Sequence, residues 1–552
     1  MKFKLSKTDI LNALIIFIIS FLFVLDLFVN KGQPASFDEP THITNIAMFY
    51  KSMKEGQFHV TWTDGFANYG MPIGIIAQQV TSYLGGLINF IVGNVIISYN
   101  LVILIGVFLS TLFFYFFLRL NFREKSSLIG AFLFHFAPYR IINIYIRGDI
   151  PEFFAGVFLP LILIGLYFIA NKKTFPGFIL LTLSTSFLIL THPMMVIVYG
   201  FIIGLYFLYL CYKNKNIIQF CFVSFLAFIL GLGLTGYYII PLILEIKYFY
   251  YGLAANHAGP NQYMSLINFI DPNWYYFYKN DIFPRGHFIK SGLFETIIFI
   301  GGSIYLGWLS IKKKKITINI LLLSVTIGVI LIVLMTKEAF PIFLHINFIS
   351  NIQHQWRLFS SFIYIPPLIL AYIIDKHEKK VLFIMLIIII CLLRFPQLYG
   401  KNYTTHQQSE YFFNPENLHA SVMNTVWTGP TEDYPIKKNK GEIIEGKGQI
   451  LMQRVTNIQR TYTVQADTDI RMADYTFYFP GWKTFIDGKE TVIQFQDPSY
   501  RGVITYNVPK GIHNIQVKFI NTKARLFGMI VTALSIILLI YSIFIFKKGN
   551  LS

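Results

Sequence analysis

Long apolar runs alternate with short basic stretches through most of the 552 residues. Runs of about 18 or more apolar residues have the length of membrane helices. They fall near 10–29, 94–118, 126–139, 152–170, 176–190, 193–211, 217–240, 292–311, 316–335, 358–374, 381–396 and 525–546, which predicts about twelve spans. The first run is longer than the apolar core of a signal peptide and has no small-residue cleavage site after it. It is expected to remain in the mature protein. Between 397 and 524 the period changes: "TYTVQA", "DYTFYF", "TVIQFQ", "GVITYNV" and "HNIQVKFI" alternate apolar with polar residues and are broken by Pro-Gly and Asp-Gly turns. That is the pattern of β-strands, and the segment is long enough for one sandwich-like domain.

The basic residues set the orientation. With the N-terminus inside, strict alternation puts Lys2 to Lys7, Arg119 to Lys125, Lys172–Lys173, Lys213 to Lys215, Lys312 to Lys315, Lys376 to Lys380 and Lys547–Lys548 in the cytoplasm. These loops hold roughly nineteen Lys and Arg against about four acids, so most of the net charge of +18 lies on one membrane face. The same distribution removes nucleic acid as a partner. The expected organisation is a multi-span domain over 1–396, with a catalytic outer loop at 30–93. An extracytoplasmic β domain over 397–524 and a closing span with a cytoplasmic tail over 525–552 follow.

Composition agrees with this class. The chain is 55% hydrophobic, 17% aromatic and only 13% charged, too little polar surface for a soluble protein of this length and too much aromatic content for disorder. The richness in Lys, Ile, Asn and Phe fits a bacterium with an AT-rich genome, which places the protein in the bacterial plasma membrane. Three scattered cysteines give neither a disulfide framework nor a zinc spacing. "GLGLTG" at Gly231–Gly236 has the dinucleotide spacing but sits inside an apolar span. Close helix packing through small residues explains it better. No Walker loop, HExxH, GxSxG or CxxC occurs.

The candidate chemistry lies on the outer face. Asp38 and Glu39 follow the first span and precede an amphipathic helix pattern through Met53. Adjacent carboxylates at a bilayer surface suit a general base, ligands of a divalent cation such as Mg or Mn, or both; the alternative is capping of the next helix by Asp38 or Thr41. "WTDGFANYGMPIGIIAQQVTSYLGGLINFIVG" is expected to lie in the interface or re-enter from outside. Arg140, Arg147, Asp149 and Glu152 crowd a short outer loop between two spans, where charges pair or face a polar cavity. Arg357 in "NIQHQWRLFSS", with Gln353 and His354 before it, is suited to grip a lipid phosphate; interface snorkelling is the alternative. His192, His257 and Arg285 are weaker candidates. Carboxylates and arginines on the side away from nucleotides suit sugar transfer from an activated lipid phosphate.

In their order along the chain, "SFDEPTH", "GFANYGMPIG" with "YLGGLI", "APYRIINIYIRGDIPEF", "THPMM", "GYYIIPLILE", "IQHQWRLFS" and "YFPGWKTFIDGKE" resemble the bacterial YfhO-like membrane proteins. They are similar also to the related 6-pyruvoyl-tetrahydropterin synthase-related membrane domain; both are placed among the GT-C type glycosyltransferases. The resemblance implies a GT-C-like polytopic α-helical fold whose first outer loop carries the catalytic acid. By position that is Asp38, with Glu39 beside it as in the Asp-Glu pair of protein mannosyltransferases. It implies a polyprenyl-phosphate-linked sugar donor, with Arg147 and Arg357 as phosphate-binding residues; Asp149, Glu152, His192, His257, Arg285, Gln353 and His354 are the supporting candidates read from the residues themselves. "QHQWR" stands where "QFPWR" is expected, so His354 is a local departure. The main expectation is a glycosyltransferase acting on an extracytoplasmic glycan such as a teichoic acid, capsule or wall polysaccharide. The competing readings are a transporter or flippase for a lipid-linked precursor, and a non-catalytic assembly protein.

Overall fold

The computed structural model describes residues 6–250, 264–271, 274, 289–312, 320–346, 352, 354–377, 380–413, 424–429, 431, 434–435, 437 and 439–549. Among these, nine helices are long and apolar enough to cross a membrane: Lys7–Val24, Val95–Arg119, Ile150–Ala170, Thr174–Thr191, Pro193–Lys213, Ile217–Leu234, Leu293–Lys312, Gln355–His377 and Lys523–Phe546. A tenth results if Glu124–His135 and Pro138–Arg147, bent by 42° at their junction, are taken together. Shorter apolar helices occupy Gln79–Val92, Ile320–Met335 and Val381–Gln397. Every expected span overlaps a helix; for those at 316–335 and 381–396 the described residues form the shorter helices just named.

Burial orders the bundle. In Ile150–Ala170 and Gln355–His377, 78% and 83% of the apolar window is buried, against 6% in Lys523–Phe546. The first two are the central helices and the last packs on the outside. The glycines of "GLGLTG" do serve close packing: a Cβ on Gly233 would meet Ser535 Oγ at 2.2 Å, and one on Gly236 would meet the Gly528 carbonyl at 3.0 Å.

One expectation fails instructively. The segment 140–151, read as a short outer loop, is helical for most of its length: Pro138–Ile142 runs into a π-helical turn, Asn143–Arg147, and Ile150–Ala155 starts two residues later. Pro138 has no N–H to donate and forces Ala137 out of helical geometry (ψ 132°), so the span breaks there rather than at the charged residues.

The C-terminal strands are β1 (Gly441–Glu445), β2 (Gly448–Val455), β3 (Gln459–Ala466), β4 (Ile470–Phe477), β5 (Trp482–Ile486), β6 (Lys489–Thr491), β7 (Val503–Val508) and β8 (Gly511–Phe519). They form two antiparallel sheets, ordered β1-β4-β7 and β2-β3-β8-β5-β6. Tyr462, Val464, Met472, Ile504, Tyr506, Ile515 and Val517 from both sheets share one core, which Trp62 and Ile75 of the first outer loop enter. That loop is thereby clamped: Asp64 N–H donates to Asn457 Oδ1 at 3.0 Å, and Tyr69 Oη donates to the Pro435 carbonyl at 2.9 Å. Between these anchors Phe66, Ala67 and Asn68 take three successive left-handed conformations (φ 59°, 54° and 71°), a costly geometry for residues other than glycine.

Candidate active site

Asp38 opens the Glu39–Lys54 helix at the N-cap position, but its side chain accepts no hydrogen bond from the helix. Its backbone N–H is used instead, donating to the Arg147 carbonyl at 2.8 Å. This tie brings the first outer loop against the end of the π-helical turn. Gly148 permits the approach: its φ is +68°, and a Cβ there would lie 2.3 Å from Ser36 Oγ and 2.7 Å from the Glu39 backbone nitrogen. π-Turns of this kind recur at functional sites.

The next residues build a cap. Asp149 Oδ1 accepts the Glu152 N–H at 3.1 Å at the start of a helix with Pro151 in its first turn. Glu152, 1% exposed, is then the hub of a buried network. It accepts from Tyr139 Oη at 2.6 Å, Arg147 Nη1 at 2.8 Å, Arg357 Nε at 3.1 Å and Ser360 Oγ at 2.9 Å. Arg147 also donates to Asp149 Oδ2 at 2.8 Å and to Asn143 Oδ1 at 2.7 Å. Arg357 reaches the Ile352 carbonyl at 3.1 Å and Met194 Sδ at 3.2 Å. Removing Glu152 would take the shared carboxylate from two buried cations, so the network is a rigid floor.

Asp38 is the exception to this saturation. Its carboxylate is partly exposed, and among the described residues no donor hydrogen-bonds it. Burial and the neighbouring Asp149 raise its pKa above the ordinary carboxylate range, against the opposing pull of Arg147, His42 and Arg357. Asp149 goes the other way: burial is outweighed by Arg147 and the two nearby histidines, so it stays ionised. The adjacent pair Asp38–Glu39 therefore divides. Glu39 is 3% exposed, turns toward Tyr411 Oη at 3.5 Å, and is pushed by burial up to about 8, which leaves it protonated at neutral pH.

The same facts test the expected divalent cation. Asp149 has both oxygens engaged, and Glu39 turns toward Tyr411, which leaves Asp38 as the carboxylate with open lone pairs. Among the described residues no group of three or more His, Cys, Asp or Glu is disposed to hold a metal ion. A bound cation needs several oxygen ligands, so this donor set does not fit one.

Other candidates fall out unevenly. His192 joins two spans, is 6% exposed, and has an Nδ1 without a hydrogen-bond partner among the described residues. His354 stacks on Trp356 at 4.3 Å. His257, Arg285 and Gln353 lie outside the described residues. The sequence reading missed His42, whose Nε2 stands 3.8 Å from Asp149 Oδ1. Burial lowers its pKa against the pull of Asp149 and Asp38, so it is neutral near pH 7. Its position four residues after Asp38 on an amphipathic helix was the available signal, since i and i+4 share a face. Tyr139, Asn143 and Ser360 were missed as well, and nothing in their local sequence marks them.

A family model described as 6-pyruvoyl-tetrahydropterin synthase related domain, membrane protein, matches residues 81–399. An uncharacterized protein of Lactococcus lactis subsp. cremoris (strain MG1363) is 23% identical over 259 residues, 45% of this chain and 42% of its own length. The match thus spans less than half of that relative. Among solved structures, the archaeal oligosaccharyltransferase AglB from Archaeoglobus fulgidus, in complex with an inhibitory peptide and a dolichol-phosphate, aligns over 73% of this chain and 57% of its own. The identity is 12% and the TM-score 0.39. The arabinofuranosyltransferase AftD from Mycobacteria aligns over 72% of this chain and 27% of its own, at 11% identity and a TM-score of 0.41.

Proposed function

The chain belongs to the 6-pyruvoyl-tetrahydropterin synthase related family of membrane proteins, and on that premise we propose that it is a glycosyltransferase working at the outer face of the bacterial plasma membrane. Its donor is a sugar carried on a polyprenyl phosphate and its acceptor an extracytoplasmic glycan, such as a teichoic acid, capsule or wall polysaccharide. Both termini are cytoplasmic in this reading. The observation that carries it is the contrast between Asp38 and its surroundings: one open carboxylate, made more basic by burial and Asp149, above a floor in which the other charged groups are paired.

Asp38 takes the proton of the acceptor hydroxyl as its oxygen attacks the anomeric carbon. The bond between that carbon and the donor's phosphate oxygen breaks, and the phosphate leaves with the electron pair. His42, neutral and one turn along the same helix, stands 3.8 Å from Asp149 Oδ1. Arg147 and Arg357 stabilise departing negative charge through their field rather than by direct contact, since Arg147 already donates to Asp149, Glu152, Asn143 and Tyr139.

Comparing the sugars of envelope glycans in wild type, a deletion strain and Asp38→Asn at matched membrane abundance tests the reading. The same substituent should vanish from the deletion and fall about 10²–10⁴-fold in rate in the point mutant. If the deletion alters the envelope and Asp38→Asn does not, catalysis at this loop is wrong, and transport or assembly takes its place.

A further inference from the structure

At the active-site floor Arg147 and Arg357 are held by Asp149 and Glu152. A second pair of buried cations does lie nearby. Lys290 and Arg394, 3% and 6% exposed, line a cavity of about 220 Å³ together with Pro138, Asp271, Trp274, Gly292, Leu293, Phe294, Ile297, Leu393 and Gln397.

Its position is informative. Leu293 begins the Leu293–Lys312 helix and Arg394 ends Lys380–Arg394, while the basic ends of these helices, Lys312 and Lys380, lie at the opposite membrane face. The cavity is thus at the outer end of the bundle. It also abuts the active-site floor: Pro138 lines it, and the next residue, Tyr139, donates to Glu152.

Its walls differ in character. Leu293, Ile297 and Leu393 are 37%, 57% and 44% exposed on the apolar outer surface of the bundle, where the solvent is lipid. On the other wall Arg394 Nη2 contacts Glu295 Oε2 at 2.5 Å and its Nη1 donates to Gln397 Oε1 at 3.3 Å, while Lys290 Nζ faces Asp271 Oδ2 at 3.4 Å. Gly292 leaves the space between them open: at φ +95°, a Cβ would meet Glu295 Oε2 at 2.3 Å and Arg394 Nη2 at 2.9 Å. Burial, opposed by Asp271 and reinforced by the repulsion of Arg394, holds the Lys290 ammonium below its ordinary range. An anion between the two cations relieves that repulsion. A largely apolar pocket with two buried cations in one wall suits a molecule with a charged head and an apolar tail.

We propose that this cavity seats a phosphate headgroup borne on an apolar chain, the phosphate between Lys290 and Arg394 and the chain along Leu293, Ile297 and Leu393. The carrier is a polyprenyl phosphate, an assignment that rests on the glycosyltransferase reading; the recognition of a lipid phosphate does not.

Binding of a polyprenyl monophosphate, phosphatidylglycerol and inorganic phosphate to the full chain in zwitterionic nanodiscs decides the matter. The polyprenyl phosphate should bind at least about tenfold more tightly than either competitor. Lys290→Gln should weaken it about tenfold, as should the double variant Arg394→Gln/Glu295→Gln, which removes both members of a buried pair and strands no charge. Unchanged affinity in both variants overturns the site. Equal affinity for phosphatidylglycerol overturns the carrier assignment, and tight binding of free phosphate overturns the role of the apolar wall. Asp38→Asn should bind the lipid normally. If it also transfers sugar normally, the catalytic reading fails and the lipid site stands.

Discussion

Two neighbouring carboxylates can have opposite fates because a helix turns 100° between them. Asp38 keeps an open face, while Glu39 is rotated into the protein beside Tyr411 and held protonated. Sequence alone marked both as acids and could not separate them, since burial is set by the segment 408–413 far along the chain. The difference is measurable. A carboxyl whose pKa rises from 4.5 unfolded to about 8 folded favours the native state fully below 4.5, and that contribution is lost as pH rises through about 8. Glu39→Gln carries no such proton. The melting temperature of the detergent-solubilised variant should therefore be flatter than wild type between pH 5 and 8, with sugar transfer retained. An unchanged pH slope would place the titration elsewhere.

At the level of elements, the apolar runs and the strand alternation were legible because lipid and a shared core impose simple periods. What was not legible depends on contacts distant in sequence. The strands β1, β2 and β5 lack clean alternation, and the charged segment after Pro138 looks like a loop although it is helical. The segment expected to lie in the interface contains the Gln79–Val92 helix, which packs against Glu39–Lys54. Gly85 and Gly86 make this contact: a Cβ on Gly85 would lie 2.5 Å from Ile46 Cδ1, and one on Gly86 2.5 Å from Met53 Cε. Because Glu39–Lys54 carries Asp38 at its start and His42 in its first turns, its seating sets the position of the proposed base. Gly85→Leu should wedge the helices apart at a cost of about 1–3 kcal/mol. Transfer should fall, with membrane abundance unchanged and protease sensitivity increased in the first outer loop. Normal activity would show that this helix pair does not govern the site.

For the whole molecule, the sequence suggested a separate outer domain tethered by the closing helix, and the structure shows a tighter union. Trp62 lies 5.2 Å from Trp482 and 5.0 Å from Phe519, so the loop between the first two long helices is part of the β core. A second joint fixes the closing helix. Arg525, 2% exposed, pairs with Glu245 Oε2 at 2.8 Å, donates to the Pro480 carbonyl at 2.8 Å and lies 4.5 Å over the Phe519 ring. One side chain thus links the Gly236–Glu245 helix, the Pro-Gly turn before β5, the end of β8 and the Lys523–Gly549 helix. Such a pair stabilises little over an apolar replacement, but breaking one half leaves a buried charge alone. Arg525→Ala should cost about 3–5 kcal/mol and release the β domain to proteolysis. Transfer should drop although no residue near Asp38 has changed. Arg525→Met combined with Glu245→Gln removes both charges and should recover most of the protease resistance. If that double variant is as labile as the single one, the joint works through packing over Phe519 rather than through charge; if both transfer sugar normally, the β domain is not needed to hold the catalytic loop.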